Sequence, residues 1–526
     1  MCGIAGVLGA NASESKLKKL LNSIKHRGEE KYRNEIFISP EVALGMHRLA
    51  IVDEEHGKQP FKSKDDQVIS ILNGEIYNCD ELRELMVNEY NFSTVCDTEV
   101  VLASYLKWGQ EFVNKLDGKF AIAIYDCRKK ELILARDPMG VKPLYYSYQE
   151  GSWVFSSEIK SLVSDANSEI IELSPGSIWV NSQERKYFTL GKFKPRSDFI
   201  GNDFNYLPVL KDALWKAVEK RIKKEDSKIA CLLSGGVDSS VITYLASQIH
   251  QNVVAYTLAE PNKNSQDLLS ATLLTNHLGI KHVIVSPSVE EMTEFYLKFG
   301  VYMTESFEPV LVRNAVAYHF LCRQVAADGF KYCLNGEGAD ELFGGYDFVR
   351  EAPKETQDEL IWYSLSIIHQ SYLKMADRAS MYTTLEARVP FMDKKLVELA
   401  LSLPPEARIK GDLNKVALRS LFQNELPKEI VFRRKVGMNE GAGFGVNRPD
   451  QSIYFNAVQK FYEGKPRQYE SDKALCLKED HLGNIDINQI EEVHNFARYV
   501  ELGFKNLKDG TKRLQLNTSL KQNLAA

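Results

Sequence analysis

Residues 229–240 read Ile-Ala-Cys-Leu-Leu-Ser-Gly-Gly-Val-Asp-Ser-Ser. The apolar run 229–233 has the composition of a strand buried on both faces. Beyond the loop, Val241, Ile242, Leu245 and Ala246 recur at helical spacing. A strand, a glycine turn and a helix start together make an anion cradle. The first N–H groups of a helix lack internal partners, and its positive end faces the loop. Gly235 and Gly236 let the backbone close on a phosphate, and the hydroxyls of Ser234, Ser239 and Ser240 add donors. No Gly-Lys-Ser/Thr follows at Walker spacing, so attack at a terminal phosphate is the less natural chemistry. A plain strand-to-helix turn with good caps is the bland rival, and it leaves the joint occurrence of glycines, aspartate and serines without a reason.

Bulk properties frame this loop. The chain has 526 residues, enough for two cores, a net charge of −5 and 26 % charged residues. That balance offers nothing to nucleic acid or to an anionic membrane surface. No apolar run is long enough to span a bilayer, and residues 1–10 carry no basic leader, so a cytoplasmic protein is expected. The 8 cysteines, at 2, 79, 96, 127, 231, 322, 333 and 476, include no Cys-Xaa-Xaa-Cys pair. Scattered thiols of this kind fit neither a zinc site nor a disulfide framework.

Ser-Gly-Gly-Xaa-Asp-Ser-Ser resembles the pyrophosphate loop of the N-type ATP pyrophosphatases, which cleave ATP to AMP and pyrophosphate. The resemblance implies that residues 233–240 (Leu233, Ser234, Gly235, Gly236, Asp238, Ser239 and Ser240 among them) bind ATP, with Asp238 a ligand of Mg²⁺. A carboxylate beside phosphate oxygens suits that ion.

At the other end, Cys2 follows the initiator methionine. Removal of Met1 would give its thiol a neighbouring α-amine with an unperturbed pKa of ~7.7–8.0, suited to act as its base. Alone, a cysteine there reads as an inert buried thiol. It is followed by His26-Arg27-Gly28, then Gly-Met-His-Arg-Leu-Ala-Ile-Val-Asp at 45–53, Leu-Asn-Gly-Glu-Ile-Tyr-Asn at 72–78 and Cys-Asp-Thr-Glu at 96–99. In that order the segments resemble the class II glutamine amidotransferases, whose four-layer αββα Ntn-hydrolase fold releases ammonia from glutamine. The resemblance implies that Arg48 holds the substrate α-carboxylate and Asp97 its α-ammonium, with Glu75 in support. Asn73 and the Gly74 N–H would form the oxyanion hole. That family usually continues His-Arg-Gly with Pro-Asp. Here Glu29 and Glu30 stand instead, so altered loop geometry is expected, because proline fixes φ and glutamate does not.

Two apolar runs, 120–126 and 131–137, joined by Cys-Arg-Lys-Lys, read as a hairpin. The first domain should span 1–190, a polar linker 189–205, and a second domain 206–526. In that second part, a helix over 207–218 and strands at 253–258 and 282–285 around a crossover helix at 267–278 predict a doubly wound parallel sheet. Leu258, ending its strand, would wall adenine.

Residues 334–346 place glycines at 336, 338, 344 and 345 among Glu337, Asp340 and Glu341. The pattern resembles the Gly-Glu-Gly-Xaa-Asp-Glu loop of the asparagine synthetases, with Asn335 where serine is usual. By that resemblance Asn335 and Gly336 touch ATP, Asp340 joins Asp238 on Mg²⁺, and Glu337 serves near the acyl-adenylate. Residues 378–393 match the same family as a wall of the synthetase site, and Lys435 aligns with a lysine near pyrophosphate. Whereas the family holds aspartate with Thr-Thr-Ile/Val-Arg, this chain reads Val310-Leu311-Val312-Arg313. Arg313 keeps the cation for a substrate carboxylate, but the hydroxyls are gone.

The reading is glutamine-dependent amide synthesis. Cys2 frees ammonia, ATP–Mg²⁺ activates aspartate as β-aspartyl-AMP, and ammonia displaces AMP to give asparagine. The partners expected are small molecules, and a homodimer is the general prior. A close alternative is the same mechanism on a different carboxylate in a specialised pathway. A remote one is a non-catalytic regulatory homologue, against which Cys2, Asp238 and Asp340 all stand.

Overall fold

The structure is a computed structural model that describes residues 2–163, 168–200, 205–223, 225–306 and 309–444. Residues 445–526, Cys476 among them, lie outside the described residues.

Alternation along the first strand, Cys2–Gly9, sorts its side chains between two cores. Cys2 and Ile4 enter a core with Ile69, Ile71, Ala121, Ala123, Leu132 and Leu134. Ala5 and Val7 point the other way, onto Leu17, Leu20 and Leu21 of helix Glu14–Asn22. The same rule on strand Val68–Ile76 sends Val68, Leu72 and Ile76 against helices Cys79–Met86 and Asp97–Trp108. Two six-stranded antiparallel sheets thus face one another between outer helices, giving four layers, αββα. The predicted hairpin is present as Gly118–Asp126 paired with Glu131–Arg136, turning where Lys130 takes a left-handed φ of 55°.

The second part is a five-stranded sheet in which every neighbouring pair is parallel. Its order is Lys281–Val285, Val253–Leu258, Ile229–Leu232, Tyr332–Leu334, Glu386–Arg388. Ile229, Cys231, Val253 and Ala255 pack on one face, with helices Leu207–Glu219 and Val237–Ile249. Ala230, Leu232, Val254 and Tyr256 pack on the other, against Val312 and Val316 of helix Pro309–Ala327. Strand order reverses beside Ile229–Leu232, so the loops leaving that strand and Tyr332–Leu334 meet at the switch point, where such sheets bind ligands.

Two expectations change. Residues 189–200 are no free linker, because Lys194 N and Arg196 N donate to Leu401 O and Ser402 O, both at 3.0 Å, and Phe199 is buried. Residues 378–393 hold more than a wall: helix Tyr372–Met381 ends there, and Glu386–Arg388 is the fifth strand. Two charges on three residues gave no apolar run by which to see it. Among the described residues, no helix is long and apolar enough to cross a membrane.

Candidate active sites

Cys2 lies opposite Arg48 in the antiparallel register, at the end of the inter-sheet core. Asn73 and Glu75 share the parity of Ile69 and Ile71, so they project at that same end. The nitrogen of Cys2, an α-amine once Met1 is removed, donates to Asn73 Oδ1 at 3.0 Å. This leaves the buried Nδ2 of Asn73 with no hydrogen-bond partner among the described residues, a donor aimed at nothing yet. Gly74 can only be glycine, because a Cβ would stand 2.1 Å from Lys119 O. Burial pushes the Cys2 thiol above its usual value, so it needs a base to ionise, and its own amine is the nearest candidate.

Arg48, buried, donates to Asp53 O at 3.3 Å and Glu54 O at 3.0 Å and stacks over the Tyr32 ring. Asp97 begins its helix and accepts from Ile76 N at 3.3 Å, tying the helix to the strand of Asn73. Burial, and then Glu75, push the Asp97 carboxyl up to about 6. One pocket is lined by Cys2, Arg48, Gly74, Glu75 and Asp97 together with residues 49–52.

Sequence reasoning did not foresee what the other half contributes. Glu386 and Arg388 line the same pocket. Arg388 Nη2 lies 3.0 Å from Glu75 Oε1, and Lys119 Nζ lies 2.5 Å from Glu386 Oε1. Charges at i and i+2 on one strand face were the available signal. Arg27 donates to Cys2 O at 3.1 Å and pairs with Asp377 at 2.8 Å, so the nucleophile's own peptide is braced across the two halves. Glu29, expected to alter its loop, sits at φ −65°, the value proline would impose. The glutamate keeps that backbone and adds two bonds that proline's ring cannot make: its nitrogen donates to Arg48 O, and Oε1 accepts from Ala50 N, both at 3.0 Å.

At the switch point, Gly235 has a left-handed φ of 70°, and a Cβ would meet Ser270 Cβ at 2.5 Å. Ser234 N donates to Ser239 Oγ at 3.2 Å, which folds the loop onto its helix. Ser240 is buried with its hydroxyl lacking a partner among the described residues. The second loop presses on the first, since a Cβ on Gly336 would lie 2.8 Å from Ser239 N. Asn335 Oδ1 accepts from Glu337 N, and its Nδ2 donates to Tyr318 OH, both at 2.9 Å. Leu233 and Leu258 are buried at the carboxyl ends of their strands.

Asp238 and Asp340 are brought together by Lys415, which sequence reasoning missed and which no motif marks. Its ammonium lies 2.5 Å from Asp238 Oδ2 and 2.6 Å from Asp340 Oδ1, while Lys435 lies 2.6 Å from Asp340 Oδ2. Burial works against the charge on Asp340, and the two lysines outweigh it, holding the carboxyl well below its usual range. Among the described residues Glu337 has no cation in ion-pair contact. Burial, then Glu341, push it up to about 8. Asp238 Oδ1 is buried without a hydrogen-bond partner among the described residues, an oxygen suited to a hard cation. Arg313 lies on helix Pro309–Ala327, and its buried Nε likewise has no hydrogen-bond partner among the described residues.

An antiparallel sandwich presenting a cysteine at the head of its first strand, joined to a doubly wound sheet with an anion loop at its switch point, is the architecture of an amidotransferase coupled to a synthetase. The family model for the glutamine amidotransferase domain matches residues 1–176, and that for asparagine synthase matches 209–364 and 350–463. Asparagine synthetase [glutamine-hydrolyzing] 2 of Oryza sativa subsp. japonica is 33 % identical over 469 residues, covering 84 % of this chain and 78 % of its own. Asparagine synthetase B [glutamine-hydrolyzing] of Escherichia coli (strain K12) is 32 % identical over 467 residues, covering 84 % and 83 %. The chain belongs to the glutamine-hydrolysing asparagine synthetases.

Proposed function

We propose that the chain makes asparagine from aspartate, glutamine and ATP, with residues 1–190 as the glutaminase and 206–526 as the synthetase. The observation that carries this is Asn73, whose Oδ1 takes the Cys2 nitrogen and whose Nδ2 is left free to bind an oxyanion. Cys2 Sγ attacks the glutamine amide carbon while the amine of Cys2 takes the thiol proton and passes it to departing ammonia; water then releases glutamate. Arg48 and Asp97 hold the ends of the substrate, and Glu75 supports it.

In the second site the β-carboxylate of aspartate attacks the ATP α-phosphorus, pyrophosphate leaves, and ammonia displaces AMP. A free carboxylate is a poor acyl donor, and AMP makes it a good one. The loop 233–240 holds the phosphates, with Leu258, Asn335 and Gly336 at the nucleotide. Lys435 neutralises charge on the departing pyrophosphate, and Glu337 receives the proton that ammonia sheds. Asp238 and Asp340 are the residues that fit Mg²⁺, which when bound would screen the triphosphate charge. Arg313 holds the acid's α-carboxylate. Val310 and Leu311, apolar beside Arg313, favour the second reading, another carboxylic acid as acceptor. We place the enzyme in the cytoplasm, as a homodimer.

Cys2→Ala tests the division of labour. Glutamine-dependent synthesis should vanish while ammonia-dependent synthesis stays within about twofold. Loss of both would contradict two chemically separate sites.

A further inference from the structure

The segment 49–52 that lines the Cys2 pocket belongs to the N-terminal half, yet lysines of the other half hold two of its carbonyls. Lys331 Nζ donates to Ala50 O at 2.8 Å and to Glu54 Oε2 at 3.0 Å, and Lys223 Nζ donates to Ile51 O. On the opposite side of Ala50, its nitrogen donates to Glu29 Oε1 at 3.0 Å, and the same oxygen lies 3.5 Å from Lys331 Nζ. One residue of the pocket lining, Ala50, is therefore held at both its backbone polar groups. Both lysines are tied to Tyr332, the first residue of a strand of the parallel sheet. Lys331 immediately precedes Tyr332–Leu334, and Lys223 N donates to Tyr332 OH at 3.2 Å. Lys331 O in turn accepts from Glu386 N at 2.9 Å, beside the strand whose Arg388 meets Glu75.

We propose that Lys331, seconded by Lys223, is a positioning residue for glutamine: it fixes the wall 49–52 from the synthetase half and so sets glutamine affinity without touching the reacting atoms. This rests on the glutaminase reading of the pocket. A charge-assisted bond to a carbonyl is removed in Lys331→Met, at a side chain 37 % exposed that leaves no buried gap.

The test is steady-state glutamate release by full-length Lys331→Met and Lys331→Arg against wild type, with ammonia-dependent synthesis measured in parallel. Lys331→Met should raise KM for glutamine about tenfold, leave kcat within about twofold, and leave ammonia-dependent synthesis unchanged. Lys331→Arg, which keeps charge and donors, should restore most of the affinity. A KM within twofold of wild type in Lys331→Met would overturn the proposal. So would parallel loss of kcat and ammonia-dependent synthesis, which marks a merely structural role. Wild type that releases no glutamate would remove the glutaminase reading itself, a distinct result.

Discussion

Asn73 divides its side chain between two tasks, its oxygen on the Cys2 nitrogen and its amide N–H₂ left open beside Gly74. Asn73→Ala should therefore lower kcat for glutamine hydrolysis by about 10²–10³, with a smaller change in KM, as steady-state kinetics would record. Asp97 gives a pH signature. With its carboxyl up at about 6, it is charged above that pH and protonated below it. In its proposed role, the pair of Asp97 with the substrate ammonium is present above pH 6 and lost as pH falls through it. A profile of kcat/KM for glutamine should show an acid limb near pH 6, and Asp97→Asn should raise KM about tenfold and erase that limb. A limb that persists in Asp97→Asn belongs to another group.

The element that matters most to the second site is the turn from Ile229–Leu232 into Val237–Ile249. Its left-handed Gly235 abuts Ser270, so Gly235→Ala combines strain of about 1–3 kcal/mol with a clash. Pyrophosphate release should fall by at least tenfold while glutamate release persists; an unimpaired variant would mean that the loop has room the geometry denies. Lys415 links this turn to the acidic loop. Lys415→Met leaves Asp238 and Asp340 facing each other without their shared cation, a cost of about 3 kcal/mol. Melting in the absence of metal should show that loss, and added Mg²⁺–ATP should recover part of it. These turns were legible in the sequence because glycines, serines and aspartates have local backbone reasons to cluster. Lys415 was not, since it reaches 177 residues along the chain to Asp238 and carries no local signature.

Over the whole molecule the two halves meet through charge. Arg27 with Asp377, Lys119 with Glu386, and Arg388 with Glu75 are buried pairs that cross from one half to the other. Strands alternating with helices announced the doubly wound sheet, while the αββα layers and the residues Cys2, Arg48, Asn73, Glu75 and Asp97 followed from the resemblance that the ordered motifs carry. The seam could not be read that way, because the motif at 378–393 pointed Glu386 and Arg388 to the synthetase site alone, and only the sheet places them beside the Cys2 pocket as well. Arg388 also reaches the other site, its carbonyl accepting from Asn335 N at 3.1 Å. The most direct measurement of the two-site account follows nitrogen across that seam. The protein would be given glutamine labelled with ¹⁵N at the amide, aspartate, ATP and Mg²⁺, and its products weighed by mass. The account predicts ¹⁵N-asparagine formed one for one with AMP and glutamate. Glutamate without AMP or any labelled amide from aspartate would contradict it.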